Sequence, residues 1–230
     1  MKKIISFGLW GKNKCYNYGA IENVILAKKL YSDWICYIFY NNTCITKVIE
    51  QLKTHDNVRL IKINNNDLLS FNMFWRFSPA FEKDNIVIIR DTDSRLNIKE
   101  KTAVDEFLKS DKDFHIMRDH KLHTQCIMGG MWGCKNNILV PYKKQFYDYL
   151  KIGKKYSGIN QDQYWLRVII YPNIVNNSII HDDIYKREKH SMKFPITNYK
   201  GYVGEEIFYC SETCKIFKEN NKFFYKKRNT

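Results

Sequence analysis

Apolar positions along the first half of the chain alternate between two periods. "KIISF", "WICYIFY", "VRLIKI" and "NIVII" are short runs rich in β-branched and aromatic residues, as in buried strands. Between them, "AIENVILAKKLY" and "TCITKVIEQLK" space their apolar residues as helices do, and "NNND" marks a turn. Strand and helix in alternation predict a mostly parallel central sheet flanked by helices, an α/β fold. "IKEKTAVDEFLKS" continues the pattern as an amphipathic helix with Ala103, Val104, Phe107 and Leu108 on one face.

Beyond residue 113 the regularity weakens. "FHIMRDHKLH" predicts a strand running into a polar loop, and "TQCIMGGMWGCKNN" a second strand bent at Gly129 and Gly130. "YKKQFYDYLK" and "QDQYWLRVII" predict helices, and "SIIHDD" a short strand ending in polar groups. No repeat or linker divides the 230 residues, so one domain over 1–230 is expected, with a basic tail from about 215.

Composition adds two constraints. Thirty-eight Lys and Arg against 24 Asp and Glu give a net charge of +14, which favours anionic partners. Seven scattered cysteines, an odd number, fit reduced thiols in a cytoplasmic setting better than a disulfide framework. Cys210 and Cys214, four apart, fit buried free thiols on one helix face. No window is long and apolar enough to suggest a membrane span.

The candidate chemistry starts where "IVII" ends, in "RDTDSR". Ligands of open α/β sheets collect beyond the carboxyl ends of strands. Two carboxylates at i and i+2 there, Asp91 and Asp93, can converge on one hard divalent cation, Mn²⁺ or Mg²⁺. A cation held by only two protein carboxylates normally completes its shell with substrate phosphates, which implies a nucleoside diphosphate or similar group. The alternative is that the two acids cap the next helix and pair with Arg90 and Arg95.

"IIRDTDSR" resembles the DxD motif of GT-A glycosyltransferases, the Rossmann-like enzymes that use nucleotide sugars, including glycogenin-like and viral or bacterial members. Three further stretches resemble theirs in similar order: "ISFGLWGKN" with "YNYGAIEN", "IMGGMWGCK", and "NQDQYWL" with the later "IIHDD". The resemblance spans about residues 4 to 205. It implies a single GT-A-like domain that moves a sugar from a nucleotide-diphosphate sugar, UDP-linked by expectation, to a glycan, protein or lipid acceptor. It also implies that His181 joins Asp91 and Asp93 on the cation. "HDDIYKREKH" departs from the family pattern after this histidine, and a plain structural histidine is the alternative reading.

Other residues follow from their chemistry. Ser6, Trp10, Tyr16 and Tyr18 offer a stacking face and polar edges to a nucleobase, or else pack against the sheet; Asn23 closes the same stretch. Arg76, Arg90, Arg95 and Arg118 are candidate clamps for diphosphate or sugar, against the alternative of structural ion pairs. Lys200 in "NYKGYVGEE" is a further candidate for the donor. Gly130 and its neighbours permit close approach of backbone to ligand. Asp162, the alternative being a helix cap, and Asp119 are the candidate catalytic acids. His120, His123, Cys126 and Cys134 match no trustworthy zinc spacing. Two rival functions remain: an Mg²⁺-dependent phosphohydrolase using the same acids, and a basic nucleic-acid binder, the latter disfavoured because the aromatics lie in apolar runs.

Overall fold

The computed structural model describes residues 1–64, 72–152 and 161–207. The basic tail, Cys210, Cys214 and most of "NNND" lie outside the described residues. The expected alternation is present: β1 (Lys2–Leu9), α1 (Lys14–Leu30), β2 (Ile35–Tyr40), α2 (Thr46–Lys53), β3 (Val58–Lys62), β4 (Asn85–Arg90) and α3 (Ile98–Lys109). Then come β5 (Phe114–Arg118), β6 (Trp132–Cys134), α4 (Lys143–Ile152), α5 (Gln161–Trp165), α6 (Tyr171–Ile174) and β7 (Ser178–Asp182).

The strands form one sheet in the order β3-β2-β1-β4-β6-β5-β7. β6 alone is antiparallel to its neighbours, β4 and β5, and the other pairings are parallel. This is the mostly parallel α/β sheet expected. The unbroken apolar runs have a direct cause. Ile4, Val87 and Ile89 enter one core cluster, while Ile5, Phe7, Ile86 and Ile88 enter a second on the opposite face. A strand covered on both faces needs apolar residues at every position, not at alternate ones. α1 and α2 supply Ile21, Val24, Val48 and Leu52 to the second cluster, and α4 and α5 supply Phe146 and Trp165 to the first. Among the described residues, no helix is long and apolar enough to cross a membrane.

The structure adds one element and corrects two expectations. The stretch before β4, to which the sequence pattern assigns no element, is ordered: Asn72–Phe81 forms a 3₁₀ segment that buries Phe74, Trp75, Phe77 and Phe81. Pro79 lies inside it. A segment with i, i+3 geometry and a proline carries neither of the periods sought in the sequence. α1 starts earlier than its apolar pattern, because the side chain of Asn13 accepts from the N–H of Cys15 and starts the helix there. Gly129 and Gly130 do not bend a strand; they lie in the turn ahead of β6, which covers only Trp132–Cys134.

Candidate active site

β1 and β4 end side by side, with Phe7 in register with Arg90. Beyond that edge lies a cleft of about 270 Å³ whose walls include Trp10, Tyr16, Arg76, Asp91, Asp93, His123, Gly129, Gly130 and Asp162. The two aspartates of the DTD therefore face a common space, as their place after β4 predicts.

Arg76 reaches this space from the 3₁₀ segment and is itself 5% exposed. Ser6 fixes its backbone, donating from Oγ to the Arg76 carbonyl at 2.6 Å. The guanidinium donates through one terminal nitrogen to Asp91 Oδ1 and through the other to Asp162 Oδ2, the latter at 3.2 Å. Among the described residues, no hydrogen-bond partner meets its buried Nε. The second oxygen of Asp162 accepts from the N–H of Gln163 at 2.9 Å.

A glycine pair makes this packing possible. A Cβ on Gly130 would stand 1.9 Å from Asp91 Oδ2, and one on Gly129 2.6 Å from Asp162 Oδ2 and 2.9 Å from an Arg76 nitrogen. Gly130→Ala should therefore push the Asp91 carboxylate out of place. The expected result is at least tenfold weaker Mn²⁺ binding, measured by calorimetry, with a loss of stability of about 1–3 kcal/mol.

The charges do not cancel. Asp91, Asp93 and Asp162 line the cleft with Arg76 as the strong cation among its walls. Burial, then the charge of Asp91 and that of Glu206, push the Asp93 carboxyl up to about 7, although a hydrogen bond from Tyr16 works the other way. Burial also raises the proton affinity of Asp162 despite the nearby Arg76. Ionised carboxylates crowded in this way gain most from a bound cation.

The loop carrying the two acids is held from outside the cleft. Arg95 donates to the Thr92 and Ser94 carbonyls at 3.0 and 2.9 Å and pairs with Glu22. Asn23 donates to the Ser94 carbonyl at 2.8 Å and accepts from the N–H of Leu96 at 3.0 Å. The segment near residue 206 crosses over the loop: Ser94 bridges Glu206, and the N–H of Ile207 donates to the Asp93 carbonyl at 2.8 Å.

The structure thus sorts the expected site residues. Trp10, Tyr16, Arg76, Asp91, Asp93, Gly130 and Asp162 meet at the cleft. Tyr18 does not line it. Two residues beyond Tyr16 on α1, it is about 200° round the helix; both tyrosines pack against the second core cluster, and only Tyr16 also reaches the cleft. Ser6 and Asn23 act from behind, as backbone ties.

The other three arginines do not line the cleft and are engaged in protein ion pairs. Arg90 pairs with Glu100 at 2.6 Å and donates to the Ile89 and Trp132 carbonyls. Arg95 is spent on the loop itself. Arg118, fully buried, pairs with Asp182 at 2.8 Å and with Glu188. Asp119 likewise holds Lys99 at 2.6 Å and the N–H of Val203 at 2.7 Å, which leaves it outside the cleft. Lys200 is exposed and absent from the cleft walls.

His181 is corrected too. It lies on edge strand β7, fully buried, with one ring nitrogen 2.8 Å from His115 and the other 3.0 Å from Glu106. Both nitrogens are committed to protein partners, so the histidine has no lone pair to give a cation at the cleft. Met73, His123, Gln163 and Gly204 are wall residues that sequence reasoning did not assign to the site.

The donor set fits a cation bound in part. Among the described residues, no group of three His, Cys, Asp or Glu is arranged to hold a metal. Asp91 and Asp93 are two hard oxygen donors on one wall, which suits Mg²⁺ or Mn²⁺ with ligand phosphates and water completing the shell.

No family model matches the chain, and no curated protein does. Among solved structures, the chain is similar to a glycosyltransferase involved in the glycosylation of the major capsid of PBCV-1. The match has 15% identity and a TM-score of 0.48, over 79% of this chain and 82% of that one.

Proposed function

We propose that the protein transfers a sugar from a nucleotide-diphosphate sugar, UDP-linked by preference, to an acceptor hydroxyl, with a divalent cation held by Asp91 and Asp93. The carrying observation is the crowding of Asp91, Asp93 and Asp162 around a single guanidinium in a cleft beyond the ends of β1 and β4. In the reaction the bond from the anomeric carbon to the diphosphate oxygen breaks, the bond to the acceptor oxygen forms, and the hydroxyl proton leaves. When bound, the cation supplies neutralisation of the charge that grows on the departing diphosphate. Arg76 adds a second positive charge from a buried position, where it acts with little screening. Of the two acids expected to be catalytic, Asp162 is the one that lines the cleft, and burial raises its proton affinity, in the direction a general base needs. Tyr16 and Trp10 line the cleft and offer aromatic faces for the nucleotide.

A phosphohydrolase would need one of these acids as a free nucleophile. In that class the nucleophile follows the first strand, whereas here the DTD follows β4.

Thermal shift tests the proposal directly. Mn²⁺ with UDP, at about 100-fold over the dissociation constant, should raise the melting temperature by about 5–10 °C. The shift should depend on pH. The ordinary carboxyl value is 3.8 and the folded value of Asp93 is about 7, so the folded state holds the extra proton between them. This group therefore makes the metal-free protein less stable as pH rises from about 4 to about 7. Mn²⁺ competes with that proton, so its shift should grow from pH 5.5 to pH 8. A shift that shrinks over that range, or no shift from Mn²⁺ with any nucleotide diphosphate, would count against the assignment.

A further inference from the structure

His123 lines the cleft, is 5% exposed, and has no role in the reaction as described so far. The backbone N–H of Asp119 donates to its Nδ1 at 3.0 Å. A ring nitrogen that accepts from an amide carries no proton, so the neutral ring bears its hydrogen on Nε2. Burial, with the neighbouring His120 adding to it, pushes the imidazole down to about 4, so the ring is neutral at physiological pH. Among the described residues, no protein acceptor meets Nε2. Nε2 is not sealed in the protein, so on the cleft side it is open to an acceptor from ligand or water.

The ring is also held still. Asp119 is pinned by Lys99 and by the N–H of Val203. Tyr202 stacks on His120 at 4.0 Å and stands edge-on to His123 at 5.7 Å. A fixed, uncharged N–H in an acidic cleft is matched to a neutral oxygen, since the phosphates of the donor are served by charged groups. From this arrangement we infer that His123 is a specificity-determining residue that donates from Nε2 to a hydroxyl oxygen of the donor sugar. The inference rests on the glycosyl-transfer reading and deepens it.

The test uses UDP-glucose, UDP-galactose, UDP-N-acetylglucosamine and GDP-mannose, each beside its own diphosphate, with Mn²⁺ throughout. Affinities are measured for the wild type, His123→Ala and His123→Gln. For the best-bound sugar nucleotide, His123→Ala should lose about tenfold in affinity while the diphosphate changes by less than about twofold. Glutamine can both accept from the Asp119 N–H and donate from its amide, so His123→Gln should recover part of the loss. In ¹⁵N spectra the wild-type ring should show the Nε2–H tautomer, with a shift that moves on adding the sugar nucleotide and not the diphosphate. Equal losses for sugar nucleotide and diphosphate, or no loss for either, would overturn the role of His123 and leave the function standing. Failure of every diphosphate to bind the wild type would overturn the function, and this inference with it.

Discussion

Asp91→Asn combined with Asp93→Asn should remove Mn²⁺-dependent donor binding and lower turnover by at least about 10³-fold. What sets this pair apart from ordinary disruptive changes is the direction of its effect on stability. Asparagine keeps the shape of aspartate and can still accept from Arg76 through its carbonyl oxygen. It also removes an Asp93 charge that burial and Asp91 both disfavour. The metal-free double variant should therefore melt no lower than the wild type at pH 8, and Asp93→Asn alone should melt higher. Loss of function together with retained or increased stability is the signature of a cation site. A double variant that keeps its Mn²⁺ shift would sink the assignment of both acids.

The second large effect comes from a residue outside the cleft walls. Gly19 lies on α1 where the helix crosses the DTD loop, and a Cβ there would stand 1.9 Å from the Thr92 carbonyl oxygen and 2.6 Å from an Arg95 nitrogen. Neither neighbour can yield: the first is backbone and the second is locked to Glu22. Gly19→Ala should cost about 3 kcal/mol and lower the melting temperature by about 10 °C. It should also weaken Mn²⁺ binding, because α1 and the loop can only part by moving Asp93. Gly11→Ala is the control. Gly11 has φ of +71° and open space around its missing Cβ, so it should cost only about 1 kcal/mol of backbone strain and leave Mn²⁺ binding intact.

The fold was legible in the sequence wherever burial imposes a period. Strands β1, β2 and β4 announce themselves because both faces are covered, and the DTD is visible because it follows such a run. The partners of the arginines were not legible. Arg95 finds Glu22 and Arg118 finds Asp182 across separations of 73 and 64 residues, and only the assembled sheet brings them together. Local sequence shows a guanidinium near aspartates and cannot tell a ligand clamp from a structural pair. Arg76 differed because its apolar neighbours, Phe74, Trp75 and Phe77, sit beside it in the sequence as well as in space. His181 misled for the opposite reason. Its strand was read correctly, but the side chain meets His115 from the neighbouring strand, a contact set by the register of β5 on β7.

The reversed strand β6 brings its amino end beside the carboxyl end of β4, and the segment around Glu206 then closes over Asp93. Pieces of chain near residues 16, 76, 91, 130, 162 and 206 thus meet at one point. A ribosome must deliver Glu206 before that meeting is complete, and joining such distant pieces is a slow step of folding. A chain that stops short of Glu206 should therefore bind cation and nucleotide weakly, because the loop carrying Asp93 lacks one of its ties.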